Sequence, residues 1–172
     1  MDLTAILLVI FALPVVHDPG PLSRLQVVAE SVDALQAPAK WPWAADALKA
    51  LVLATWIDES GLRESVHSGA LRGDSGQAAC FGQVHSGLLV PRTEWRASMG
   101  TSREATAVCA TITARVLTAA ATCVDGKKPL TQAGVARIVA MYGTGRTCVP
   151  PNFARARAAR WADIVAKSVR PE

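Results

Sequence analysis

Between Ala44 and Ile57 apolar residues occupy almost every side of a helix. Leu48, Leu51, Val52 and Trp56 or Thr55 mark its buried side, but little of the rest is polar enough to face water. Such a helix has to lie at the centre of the molecule, with other elements wrapped around it. It then delivers a carboxylate, Glu59, into a Ser60-Gly61 break, where Gly61 is the expected C-cap. This run limits the chain to folds that can enclose one helix and leave its C-terminal end reachable.

The chain has 172 residues, which suits one domain with one core. With 51% hydrophobic and 19% charged residues it reads as globular, not disordered. Alanine is abundant and β-branched alternation is rare, so the expected class is mainly α, with little or no β-structure. The net charge of +4 suits an anionic partner. There is no concentrated basic run interleaved with aromatics, so nucleic acid is not the expected partner.

Other helices follow from periodicity. Leu25, Val28, Ala29, Val32 and Leu35 recur at helical spacing from Leu22 onward. Thr101 is the expected cap of a helix with Glu104 at its third position, continuing from Ala105 to Cys123. Thr131 to Met141 and Phe153 to Val169 are two more. In the last, Phe153, Trp161, Ile164 and Val165 are expected on the core, and Arg155, Arg157, Arg160 and Lys167 on a solvated face. Residues 86–100, broken by Pro91 and Gly100, form a short helix or a lid. Trp41 and Trp43 sit in a turn and are read as packing residues, although such rings also stack on sugars.

Residues 1–21 are separate in character, and the domain proper is read as 22–172. The apolar run from Ala5 to Leu13 is too short for an ordinary membrane span and fits the length of a signal h-region. Asp2 and the lack of Lys or Arg do not fit a signal n-region. Two readings stay open: an export or anchor segment, with membrane association through residues 5–16, or a helix packed on the domain. His17 to Pro21 is a break.

Four cysteines stand at 80, 109, 123 and 148, with no CxxC pair and so no zinc ribbon. Either they form two disulfides in an oxidising compartment, or they are four reduced core residues. If Cys109 and Cys123 share a helix they lie about 21 Å apart along its axis. A disulfide spans about 7 Å at most between Cα atoms. That pairing is therefore disfavoured, and two connectivities remain.

Glu59 at a helix C-terminus has a chemical consequence. The negative end of the helix dipole, partial burial and the adjacent Asp58 all oppose its ionisation. On this stretch alone two readings stay open: a polar residue that only closes the helix, or a general acid, which needs such an environment. The loop that follows, Gly69 to Gln83, is expected to be too polar and Gly-rich for the core. Its Asp74 either positions water or turns the chain through its own side-chain hydrogen bonds. His67 and His85 lie in two identical Val-His-Ser-Gly segments, but their spacing matches no zinc motif, and no metal is expected. No GxSxG elbow supports a serine hydrolase.

Three stretches stand out in order: Glu59-Ser60-Gly61, then Gly73-Asp74-x-Gly76 with Phe81-Gly82-Gln83, then Ala140-Met141-Tyr142-Gly143-Thr144-Gly145-Arg146. Together they resemble the catalytic core of the lysozyme-like superfamily, in particular lytic transglycosylases and goose-type lysozymes, over about residues 44–148. Phe81-Gly82 stands where Leu-Met is usual before Gln, and Gly143 where Asn is usual. The resemblance implies a lysozyme-like helical domain with a catalytic cleft that cleaves the β-1,4 bond of peptidoglycan. Glu59 would be the acid. Asp74 would be a second catalytic carboxylate only in a hydrolase. Ser60, Phe81, Gln83, His85 and Tyr142 would bind substrate or orient the acid.

The resemblance also implies the pairing Cys80–Cys109 and Cys123–Cys148, because the corresponding helix packs near the Gly-Gln loop. It implies no cofactor, a monomer, and an extracytoplasmic setting, whether periplasmic, secreted or virion-associated. The alternatives to a lytic transglycosylase are a muramidase using Asp74 and an inert wall-binding or structural protein.

Overall fold

The computed structural model describes residues 22–87 and 89–168. The apolar run and the break within residues 1–21 lie outside the described residues, as do the signal, anchor and membrane readings attached to them.

Helix α1 (Leu22–Asp33) buries Leu25, Val28, Ala29 and Val32, the stripe its periodicity marks. Helix α2 (Ala45–Ser60) buries every residue from Ala50 to Ile57. Its all-round apolar surface is enclosed by α1, by α5 (Arg103–Ala120) and by α7 (Asn152–Ser168). Gly61 ends it in the left-handed region at φ 59°, with its N–H donating to the Ile57 carbonyl at 2.8 Å. This is the expected glycine cap.

The short helix α3 (Glu64–His67) follows, then a 3₁₀ turn at Asp74–Gly76. Strand β1 (Ala78–Ala79) pairs antiparallel with β2 (Val84–His85), Ala78 opposite His85 and Ala79 opposite Val84. Helix α4 (Arg92–Ala97) packs on α5. A 3₁₀ turn, Ala121–Cys123, extends α5, and α6 (Gln132–Thr144) packs between α5 and α7. The class is mainly α, with strands of only two residues each.

Both disulfides form, Cys80–Cys109 with Cα atoms 6.0 Å apart and Cys123–Cys148 with Cα atoms 5.6 Å apart. The first fixes the loop after α3 to the middle of α5. The second fixes the segment after α6 to the end of the α5 extension. Such bridges are compatible with an oxidising environment.

Three expectations need correction. The α5 cap is Ser102, not Thr101: the Ser102 hydroxyl accepts from the Ala105 N–H at 3.1 Å. The Gly69–Gln83 loop is exposed only in its first half. From Ala78 to Gly82 it runs through the core, because β1, the disulfide and the Phe81 ring all draw it inward. On α7, Phe153 is 44% exposed and off the core, whereas Arg157 is only 4% exposed. Trp41 and Trp43 meet edge to face at 4.9 Å. The Trp43 indole donates to the Lys128 carbonyl at 2.8 Å, so the pair packs the turn onto the distant 125–129 turn.

Candidate functional site

Glu59 lies in the last turn of α2, half-buried. The neighbouring Ser60 is wholly buried. Its hydroxyl donates to the Trp56 carbonyl at 2.5 Å and accepts from the Leu62 N–H at 3.1 Å. Arg24 of α1, also buried, donates to the Leu62 carbonyl at 2.6 Å. Leu62 itself is left-handed, with φ 55°. Ser60 and Arg24 thus fix the turn that presents Glu59, and Ser60 offers nothing to a substrate, contrary to its expected role.

Phe81 is likewise corrected. It is fully buried, 4.0 Å from the His67 ring centroid and 5.3 Å from that of Trp56. It belongs to the core beneath the site. His67 is buried with it and bonds Thr106 at 2.9 Å through Nε2. Burial, and then the Arg24 charge, pull the His67 pKa down to about 4, so it is neutral in the core.

The loop above is held in an unusual backbone. Asp74, Ser75, Cys80 and Gln83 all have positive φ between 48° and 55°. Non-glycine residues there cost about 1–2 kcal/mol each. The cost is carried by specific restraints. The Gln83 side chain accepts from the Gly73 N–H at 2.9 Å and donates to the Cys80 carbonyl at 3.0 Å. A side chain on Gly73 would run into Gln83 Oε1, so this interlock needs glycine there. Strain of this kind concentrates at functional sites.

Tyr142 comes from α6, 60 residues downstream of Gly82, and its hydroxyl donates to the Gly82 carbonyl at 2.6 Å. Burial chiefly, then the nearby Glu59 carboxylate, push the Tyr142 pKa well above its ordinary value. It stays a neutral donor. Thr113 of α5 completes the joint: it accepts from the Trp56 indole at 3.1 Å and donates to the Cys109 carbonyl at 2.8 Å. Gly82 is wedged between the Thr113 and Tyr142 hydroxyls. The end of α2, the Phe81–Gln83 turn and the Tyr142 segment therefore meet in one place.

A groove of about 640 Å³ opens beside this joint, lined among others by Asp74, Gln83, His85, Tyr142, Thr144 and Val116. Four of the expected site residues are thus brought together. Asp74 and His85 form an exposed pair at 2.7 Å. Glu59 is not among the groove's lining residues; it adjoins the groove through Tyr142. Among the described residues no group of three His, Cys, Asp or Glu side chains could hold a metal.

The residue the sequence reading missed is Arg157. Its Nη2 donates to Glu59 Oε1 at 2.7 Å, and its Nε lies 3.6 Å from Asp58 Oδ2. Arg160 donates to Asp58 Oδ1 at 2.5 Å. A buried cation thus pairs with Glu59, where the sequence reading places only groups of opposing effect around it. A signal was available: Arg157 is four residues after Phe153 and four before Trp161, and so shares the Trp161 face of the helix.

No family model matches the chain, and no curated protein or solved structure matches it either.

Proposed function

We propose that this chain is a lysozyme-like domain that cleaves the β-1,4 bond between MurNAc and GlcNAc in peptidoglycan, acting as a lytic transglycosylase. The observation that carries the reading is the Tyr142–Gly82 hydrogen bond at 2.6 Å beside Glu59. It joins two of the three stretches whose order prompted the resemblance, and Glu59 of the third lies close enough to act on the Tyr142 hydroxyl.

In this mechanism the protonated Glu59 gives its proton to the bridging oxygen as the glycosidic bond breaks. The resulting carboxylate then takes the proton of the sugar's own 6-hydroxyl, whose oxygen attacks the anomeric carbon. The product is a 1,6-anhydro sugar, and Glu59 ends protonated. Gln83 and Tyr142, at the groove wall, would orient the sugar and the acid. One carboxylate suffices, and Asp74 is engaged by His85 at 2.7 Å. The net charge of +4 suits an anionic wall polymer, and the two disulfides suit an extracytoplasmic setting.

A muramidase using Asp74 is the alternative within enzymes. A third reading is a wall-binding or structural domain without activity. Turbidity clearing of purified walls, paired with a wall-sedimentation assay, separates enzyme from binder. The proposal predicts that Glu59→Gln still sediments with walls but no longer clears them. A wild-type protein that sediments without clearing supports the binder.

A further inference from the structure

We infer that Arg157 is a positioning residue for Glu59, anchoring one carboxyl oxygen and leaving the other to carry the transferred proton. The inference rests on the reading of Glu59 as the acid.

Helix α7 carries three arginines in its first three turns, and only Arg157 is buried. Burying a guanidinium is costly unless its charge and its donors are matched. Here the matching is selective. Nη2 bonds Glu59 Oε1, Nε is 3.6 Å from Asp58, and neither Nε nor Nη1 has a hydrogen-bond partner among the described residues. The Phe153 ring covers the guanidinium, its centroid 5.9 Å from Cζ. Its one hydrogen bond among the described residues goes to the proposed acid.

Asp58 does not need Arg157, since Arg160 already bonds it at 2.5 Å. Glu59 has no other side-chain partner: Oε2 makes no hydrogen bond among the described residues. A carboxyl group can accept from Arg157 through Oε1 in both protonation states, with the proton on Oε2. The anchor therefore survives both half-reactions. It also stabilises the carboxylate formed when the proton leaves. The groups facing Glu59 are Asp58 on its own helix, Arg157 and Arg160 on α7, and Tyr142 on α6. Asp58 opposes ionisation, the arginines favour it, and Tyr142 stays neutral.

The test is a ¹³C carboxyl titration of Glu59 in the full chain, assigned with Glu59→Gln, for wild type, Arg157→Gln and Arg157→Lys. Removing the guanidinium should move the Glu59 midpoint upward by about one pH unit or more. Arg157→Lys keeps a cation in the buried position, so it is the variant to read if Arg157→Gln does not fold; it should fall between the other two. The alkaline limb of the wall-clearing profile should move the same way. An unchanged Glu59 midpoint in either folded variant overturns the inference. If wild type clears no walls but the midpoint moves, the transglycosylase reading fails while the Arg157 anchor stands.

Discussion

Replacing Gly82 with alanine puts a methyl group into a gap that two hydroxyls already fill. The added Cβ would lie 3.0 Å from the Tyr142 hydroxyl and closer still to Thr113 Oγ1. Backbone conformation is not the obstacle, since Gly82 is not among the positive-φ glycines. The obstacle is that neither neighbour is free to move. Thr113 is fully buried and held by the Trp56 indole and the Cys109 carbonyl. Tyr142 is held by Gly82 itself. Overpacking of this kind costs about 1–3 kcal/mol, and breaking one of these hydrogen bonds costs about 1 kcal/mol more. The sum is about 2–4 kcal/mol. For a chain of this size that lowers Tm by roughly 6–12 °C. Thermal melting followed by circular dichroism measures it. Adding Thr113→Ala removes the nearest obstruction, so the double variant should lose less than the sum of the two single losses. A Gly82→Ala protein that melts with wild type, or strictly additive losses, would refute the account of this joint.

Three further outcomes follow from the same geometry. Tyr142→Phe leaves the Gly82 carbonyl without its donor and should cost about 1–3 kcal/mol in chemical denaturation, with wall clearing reduced. Replacing both Cys123 and Cys148 by alanine opens a loop of 25 residues and should cost about 3.5 kcal/mol, read as a lower urea midpoint under non-reducing conditions. His67 makes stability pH-dependent with a definite sign. The unfolded chain takes up its proton below 6.5, the folded chain only below about 4. Stability is therefore fully present above pH 6.5 and falls by about 3 kcal/mol as pH drops toward 4. His67→Leu should flatten the urea midpoint across that window.

The helices were legible because their signals are local. The stripe of α1, the all-round apolar run of α2 and the Gly61 cap each follow from spacing within a few turns. The helix read from Thr131 begins one residue later, because the Thr131 side chain caps it by accepting from the Gly134 N–H. The Gly69–Gln83 loop was only half legible. Its polar composition marks an exposed loop, but Ala78 to Gly82 is pulled inward by partners distant in sequence: Cys109, Thr113 and Tyr142. No window on the sequence holds that information. The positive-φ residues Cys80 and Gln83 were invisible for the same reason, since neither type favours that region alone.

Within the site, Gln83, His85 and Tyr142 were named through the resemblance carried by three short stretches, and Asp74 as the carboxylate of the Gly-rich loop; all four line one groove. Ser60 and Phe81 were misread because a motif position gives no direction to a side chain: one caps the turn and the other fills the core. Arg157 was marked only by its spacing to Trp161, a signal that three arginines on one helix obscured. Among three arginines on one helix, burial depends on which faces α2, and charge alone does not say. Its pairing with Glu59 spans 98 residues of sequence.

The most direct test of the central claim is mass spectrometry of purified peptidoglycan after digestion by wild type and by Glu59→Gln. The account predicts 1,6-anhydro-ended fragments from wild type and none from a folded Glu59→Gln protein. Fragments with free reducing ends would move the reaction to hydrolysis and the second carboxylate to Asp74. No fragments from folded wild type, or the same anhydro fragments from Glu59→Gln, would contradict the claim that Glu59 is the acid of a wall-cleaving enzyme.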